Sequence, residues 1–193
     1  MKPSLWAAVI LTLASAAASA APIFYNVNLT IGAGTVTGFL ETDGTIGTLT
    51  AANFLDWSLK ITDGVDTPDT LTGANSAVTL QGSLVTATLN AILFNFSGPL
   101  SGSYFYIERT SGPADFVCFG PGGGGSYQHT CASNAGGYVE SLSLNGTNLY
   151  LGPLTGTQAI ATPEPGSDLL LAGGLMGLWV WRRAIRRLSF TGS

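Results

Sequence analysis

Residues 141–151 run Ser-Leu-Ser-Leu-Asn-Gly-Thr-Asn-Leu-Tyr-Leu and place two alternating apolar and polar segments around an Asn-Gly dipeptide. A period of two is typical of a strand with one buried face, and Asn-Gly favours the positive φ angles of a two-residue hairpin turn. The stretch therefore predicts an antiparallel hairpin. Leu142 and Leu144 should share its buried face with Leu149 and Leu151, because a shift of one residue would expose all four.

The same alternation recurs in short runs separated by glycine, proline and Asp-Gly turns, and no amphipathic helix is apparent before the C-terminal tail. The predicted strands are 23–31, 35–41, 54–62, 83–90, 92–97, 104–109, 138–144 and 148–151. Eight short strands without crossover helices predict an all-β fold, and we favour an antiparallel β-sandwich, jelly-roll-like or similar, over a barrel. The aromatic residues expected in its core are Phe54, Trp57, Phe94, Phe96, Phe105 and Phe116.

The N-terminus has the pattern of a signal peptide. Lys2 begins a short positive region, residues 5–13 are largely apolar, and Ala18-Ser19-Ala20 fits the small-residue site of a signal peptidase. The pattern predicts export through the Sec translocon, with residues 1–20 removed.

The C-terminus combines Pro163-Glu164-Pro165, a short apolar run at 169–181 and a basic end. Proline removes backbone donors and resists helix formation, so the tripeptide should be extended. The 13 apolar-run residues would rise about 20 Å as a helix, against roughly 30 Å of hydrocarbon, so the predicted single transmembrane helix is marginal in length. Arginines beside a membrane segment favour the cytoplasmic side, which leaves everything before the run outside.

This order of features resembles the PEP-CTERM sorting domain over about the last thirty residues. The resemblance implies a transient membrane anchor, cut near Pro-Glu-Pro by a membrane-embedded exosortase in Gram-negative bacteria that make exopolysaccharide. It implies recognition by Pro163, Glu164 and Pro165. The implied membrane segment includes Leu169, Leu170, Leu171, Leu175, Met176, Leu178, Trp179, Val180 and Trp181. The implied cytoplasmic basic stop is Arg182, Arg183, Arg186 and Arg187. The alternative is a permanent C-terminal anchor with an incidental Pro-Glu-Pro.

The predicted division is therefore a signal peptide at 1–20, one β-sandwich domain at 21–160 and a sorting tail at 161–193. Between residues 21 and 162 there are nine acidic residues and only two basic ones, Lys60 and Arg109, so the net charge is −7. A domain this acidic is a poor partner for nucleic acid or anionic lipid.

Cys118 and Cys131 flank a glycine-rich loop with twelve residues between them. In an exported chain this pair predicts a disulfide. A redox role is disfavoured because the spacing is too long for a Cys-x-x-Cys motif and no basic residue flanks either cysteine.

Metal and cofactor signals are weak. Asp63, Asp66 and Asp69 recur every third residue and are a weak calcium candidate, but their spacing is not that of an EF-hand and the downstream glutamate is missing. The single histidine, His129, is too few for a zinc site. We expect no cofactor.

These observations favour a non-enzymatic exported protein of the cell surface, extracellular matrix or biofilm, sorted by an exosortase and associated with exopolysaccharide. The alternative is a lectin-like carbohydrate-binding module, for which the loop 126–129, Ser-Tyr-Gln-His, offers an aromatic and polar surface. An extracellular hydrolase is less favoured, because no spacing pairs the acids Glu41, Glu108, Asp115 and Glu140.

Overall fold

Thirteen strands and one short 3-10 helix account for most of the described chain. The structure is a computed structural model that describes residues 21–99, 102–122, 131 and 136–163. Its strands are β1 (Ile23–Ile31), β2 (Gly34–Thr42), β3 (Gly47–Thr48), β4 (Phe54–Thr62), β5 (Asp69–Thr72), β6 (Ser76–Gln81), β7 (Val85–Ala87), β8 (Ile92–Asn95), β9 (Tyr104–Arg109), β10 (Phe116–Gly122), β11 (Gly137–Leu144), β12 (Thr147–Leu154) and β13 (Thr157–Pro163). The 3-10 helix, Ala51–Asn53, precedes β4.

The strands form two antiparallel sheets. The larger sheet has eight strands in the order β3-β7-β8-β13-β1-β2-β4-β5, and the smaller has five in the order β12-β11-β10-β9-β6. Side chains from both sheets share one core, so the predicted all-β sandwich is confirmed. Among the described residues the division into eight and five strands differs from the eight strands of a jelly roll.

Alternation along the strands builds the core. Tyr25, Val27 and Ile31 on β1 face Leu142 and Leu144 on β11 within a single buried cluster. The rings of Phe54 and Phe105 stack at 5.1 Å, and those of Phe105 and Phe119 at 5.7 Å. Four of the six predicted aromatic residues lie in this main core, and Trp57 is half-buried against it. Phe116 is buried in a second cluster with Tyr104, Tyr106, Cys118, Cys131 and Val139.

The hairpin prediction is confirmed at its turn. Asn145 has φ 50° and Gly146 has φ 84°, as a two-residue turn between β11 and β12 requires. Leu142 lies opposite Leu149, and both contribute to the core. The prediction for Leu151 is wrong. This residue lies on the edge strand β12, opposite Glu140 of β11, and is 43% exposed.

Other strand predictions differ from the structure where glycine and proline interrupt the pattern. β10 was not predicted, because Phe116–Gly122 ends in Gly-Pro-Gly and lies next to the glycine-rich loop. The predicted strand at 83–90 is reduced to Val85–Ala87, followed by a turn in which Thr88 accepts a hydrogen bond from Ala91 through its hydroxyl. The short strands β3, β5 and β6 carry few large apolar residues and gave no strong signal.

β13 is the strand most relevant to the tail. It pairs with β8 on one side and β1 on the other, and in this way it joins the two halves of the larger sheet. It continues to Pro163, three residues beyond the predicted domain boundary at residue 160. Within the described ranges, no helical segment has the length and hydrophobicity that a bilayer crossing requires.

Candidate functional site

The tail leaves the sandwich directly from β13. Ile160 and Ala161 are buried in the core, while Thr162 and Pro163 pair with Asn26 and Tyr25 of β1. Pro163 is therefore both the last residue of the described sheet and the first residue of Pro-Glu-Pro. Proline is tolerated here because it ends the strand and its missing N–H interrupts no further ladder.

The N-terminal end of the domain lies beside this exit. β1 and β13 are antiparallel neighbours, so the start of one lies next to the end of the other. The phenol of Tyr25 donates a 2.7 Å hydrogen bond to the carbonyl of Thr88, in the turn between β7 and β8. This contact ties the exit of the tail to the first strand and to a neighbouring turn.

Most of the predicted tail residues lie outside the described residues. This applies to Glu164 and Pro165, to the predicted membrane segment at 169–181 and to the four arginines at 182, 183, 186 and 187, and it applies equally to the predicted signal peptide at 1–20. Of the three predicted recognition residues, the structure places Pro163.

Comparison with known families identifies the tail. Residues 161–187 match the family model of the PEP-CTERM protein-sorting motif. The chain carries a PEP-CTERM sorting motif. The match begins at Ala161, so the PEP-CTERM motif starts inside the folded sheet and overlaps the last three residues of β13. The motif indicates an exported protein that an exosortase sorts at the membrane of a Gram-negative bacterium. No curated protein and no solved structure matches the chain.

The predicted disulfide is confirmed. Cys118 on β10 is bonded to Cys131, with their Cα atoms 5.5 Å apart, and both residues are buried in the second cluster. The N–H of Cys131 also donates to the carbonyl of Pro121 at 3.1 Å. The bond therefore fixes Cys131 against the end of β10 and closes the glycine-rich loop.

The three aspartates of the calcium hypothesis do not converge. Asp63 Oδ1 accepts hydrogen bonds from the N–H groups of Val65 and Asp66 at 3.0 and 2.8 Å, which close a turn and lower the pKa of Asp63. Asp69 is paired with Arg109. Among the described residues, no group of three His, Cys, Asp or Glu side chains is placed to hold a metal ion. The structure gives no support for calcium at this loop.

Arg109 instead joins the two sheets through carboxylates. Its guanidinium binds Asp69 on β5, with Nε 2.9 Å from Oδ2, and lies 3.8 Å from Asp115 in the connection between β9 and β10. Asp115 accepts the N–H of Asn145 at 2.7 Å. Arg109 lowers the pKa of Asp69, whereas burial raises the pKa of Asp115. The cluster is structural, because Arg109 links Asp69 to Asp115 across the two sheets and Asp115 also binds the backbone of Asn145.

Like Asp115, and unlike the other two acids that were considered for hydrolysis, Glu140 is buried. It lies on β11 between Phe119 and Leu151, and burial raises its pKa to about 7. Glu41 lies on β2 and Glu108 on β9, so these acids are distributed over both sheets. The sequence analysis did not predict the burial of Glu140, although its position two residues before Leu142 on an alternating strand places it on the buried face.

A cavity of ≈ 10 Å³ lies between the sheets and is lined by apolar side chains. They are Val27, Leu40, Leu59, Phe105, Ile107, Val117, Phe119 and Ile160. The volume holds about one water molecule, and the lining offers no polar partner, so the cavity is a packing defect that does not suit a ligand. Loop 126–129, suggested for sugar stacking, lies outside the described residues.

Proposed function

We propose that this protein is a non-enzymatic, exported component of the extracellular polysaccharide matrix, released to the cell surface when an exosortase removes its tail. The observation that carries the proposal is the PEP-CTERM motif at 161–187, which continues directly from the last strand of a β-sandwich. Signal peptidase and the Sec translocon act before the exosortase in this scheme. The tail holds the protein in the inner membrane only until it is cut.

A structural role is supported by what the described side chains do. Asp69, Arg109 and Asp115 are engaged with one another, and Asp63 closes a turn. The cysteines form a disulfide, and the cavity between the sheets is apolar and small. These groups stabilise the sandwich, and none of them is presented in a cleft for acid–base or nucleophilic chemistry.

The test uses the native host and two single substitutions in the tail that are equal in chemistry. Glu164→Gln alters Pro-Glu-Pro, whereas Asp168→Asn makes the same acid-to-amide change three residues after Pro165. Intact mass spectrometry of the membrane, surface and medium fractions should find a species from about Ala21 to about Pro163 for the unchanged chain and for Asp168→Asn. Glu164→Gln should accumulate uncut in the membrane fraction.

Equal processing of all three chains would refute recognition through Glu164. A chain that retains residues 169–187 in every fraction would make the tail a permanent anchor. Comparison with the reduced sample checks the disulfide, because the native species should be lighter by the two thiol hydrogens.

A carbohydrate-binding role is the second candidate, and one surface favours it. The outer face of β1 and β2 carries Phe24 and Phe39, whose ring centroids are 5.8 Å apart. Most neighbouring positions on this face are amides and hydroxyls, and three are charged, Glu41, Asp56 and Lys60; the uncharged ones are Asn26, Asn28, Thr35, Thr37, Ser58, Thr70 and Thr72. Apolar rings beside amides, hydroxyls and a few charged groups suit a sugar chain, which has both C–H faces and hydroxyls.

Affinity electrophoresis with the host exopolysaccharide, dextran and alginate tests this second role. Phe39→Ala should abolish any retardation, and Val78→Ala, on the other sheet, should not. An unretarded native protein in all three gels would remove carbohydrate binding as a function.

A further inference from the structure

One end of the sandwich collects both connections to the membrane. We call it the exit end and define it by residues 21–24, 42–46, 51–56, 88–91 and 161–163. Ile23 pairs with Thr42 and Tyr25 pairs with Pro163, while Ala161 pairs with Ile92 beside the β7–β8 turn. The signal peptide precedes Ala21 and the sorting tail follows Pro163, so both leave the domain from this end.

The exit end is also where exposed apolar side chains concentrate. Phe24 is 44% exposed, Ile46 and Leu55 are each 52% exposed, and Leu89 is 70% exposed. These are four of the seven large apolar side chains that are exposed within the described residues. The other three lie elsewhere: Val65, Tyr150 and Leu151.

Leu55 and Leu89 are placed at the exit end by local structure. Leu55 is the extra residue of a β-bulge, since Glu41 pairs with Asp56 and Thr42 pairs with Phe54. Leu89 lies at the tip of the turn whose Thr88 carbonyl accepts the Tyr25 phenol. Neither side chain is needed for the core, so their exposure is not a by-product of packing.

The length of the intervening chain places this end at the membrane surface. Residues 164–168 separate Pro163 from the apolar run, and six residue steps span at most about 20 Å when extended. The headgroup layer occupies several ångströms on each side of the hydrocarbon. A tail inserted from Leu169 onward therefore keeps the exit end within about 20 Å of the hydrocarbon, a distance from which it can contact the headgroups.

We propose that, until the tail is cut, the exit end docks on a zwitterionic lipid surface through Phe24, Ile46, Leu55 and Leu89. The inference rests on the proposed function, because it requires the tail to be inserted in the bilayer. Charge selects the lipid: Asp43 and Asp56 lie at this end, whereas the two basic residues of the domain, Lys60 and Arg109, lie away from it. An acidic end is repelled by anionic headgroups.

Docking also explains how cutting leads to release. A single weak apolar signal gives marginal, reversible membrane binding, and stable attachment takes two. The tail and the exit end are two such signals while they are covalently joined. Removing the tail leaves only the weaker one, and the domain departs.

The test places a fluorescent label on single introduced cysteines in the chain from Ala21 to Ser193, with the native disulfide intact, in nanodiscs of phosphatidylcholine. The variants are Leu55→Cys, Leu89→Cys, Val65→Cys and Leu175→Cys. Val65 is the matched control, because it is exposed and follows the far end of β4, nine residues or about 30 Å from the exit end. Each sample is compared in discs with and without brominated acyl chains, which quench labels at the acyl boundary.

An interfacial side chain lies about 5–10 Å into the headgroup and acyl boundary, so labels at 55 and 89 should lose fluorescence about twofold in brominated discs. The label at 175 should be quenched strongly and the label at 65 should not change. Quenching at 175 without quenching at 55 and 89 overturns docking and leaves the proposed anchoring intact. Equal quenching of the labels at 65 and 89 would mean that contact with the membrane is not confined to the exit end, and it would overturn docking. Absence of quenching at 175 overturns the membrane-anchored stage itself, and docking with it.

Discussion

Glu140→Gln should stabilise the protein, and the gain should depend on pH. Glu140 is 4% exposed on β11, between Phe119 and Leu151, and alternation places it on the same face as the core residues Tyr138 and Leu142. Burial disfavours the charged carboxylate and raises its pKa to about 7, from an ordinary value of 4.5. Glutamine keeps the shape and removes the charge.

The magnitude follows from linkage. One pKa unit corresponds to about 1.36 kcal/mol, so the difference between 4.5 and about 7 costs the folded state about 3 kcal/mol above pH 7. A raised folded pKa means that the folded protein holds the proton more tightly than the unfolded chain does. Stability is therefore lost as pH rises from about 4.5 through 7, and the advantage of glutamine grows over the same window. The figure is an upper limit, because β11 can relax to hydrate the anion.

Urea unfolding of the chain from Ala21 to Ser193 in a non-ionic detergent, followed by circular dichroism at pH 4, 6 and 8, measures this difference. The two chains should unfold alike at pH 4, and the variant should be more stable by up to about 3 kcal/mol at pH 8. Glu41→Gln is the control, because it removes the same charge from the outer face of the other sheet. A difference between Glu140→Gln and the native chain that stays constant from pH 4 to pH 8 would refute the burial of an ionising group at this position.

Three further perturbations test the packing. Gly38→Ala should lower the free energy of unfolding by about 2 kcal/mol or more, since a Cβ there would lie 1.8 Å from the carbonyl oxygen of Ser58; unchanged urea midpoints would contradict the β2–β4 register. Replacing both disulfide cysteines with alanine should cost about 3 kcal/mol in the same assay, and an equal cost on reducing the native chain would attribute it to the bond. Arg109→Met should destabilise by about 2 kcal/mol, because Asp115 would stay buried beside an unpaired Asp69. That loss should shrink on acidification, when Asp69 takes up a proton, and a loss that persists at low pH would argue against the ion pair.

Much of the fold follows from local sequence. β1, β4 and β9 begin and end at the predicted residues, because β1 and β4 are nine-residue runs rich in apolar positions and β9 is a short apolar run, each with turn residues beside it. The Asn-Gly turn and the disulfide were predicted for equally local reasons, one from backbone conformation and the other from an exported cysteine pair.

The failures share a physical cause, which is that sheet order is not a local property. Thr157–Pro163 carries little apolar signal, yet it occupies the middle of the larger sheet because β8 and β1 both offer it a free edge. Leu151 fits the alternating pattern, but it lies on the edge strand β12 and its side chain is exposed. The exit end is a property of the same kind, since strand pairing is what brings Leu89 to the same end of the sandwich as Ile46 and Leu55.

The sorting motif itself could be predicted from sequence, because Pro-Glu-Pro, the apolar run and the arginines are contiguous. The overlap between the motif and the folded domain could not be predicted from sequence, because it depends on where the last described strand ends. Ala161 is buried in the core and Pro163 ends the last described strand, and both residues also lie in the first part of the motif.

The position of β13 also sets a sequence of events in time. Chains emerge from a translocon N-terminus first, and the strand that joins the two halves of the larger sheet is the last to arrive. Until it does, β1 and β8 present open edges on which another exporting chain could pair. In the proposed function, the residues that close those edges are followed at once by the segment that holds the chain in the membrane. If the tail anchors the chain as proposed, the two edges are closed by the time the chain stops moving through the translocon, before an exosortase releases it.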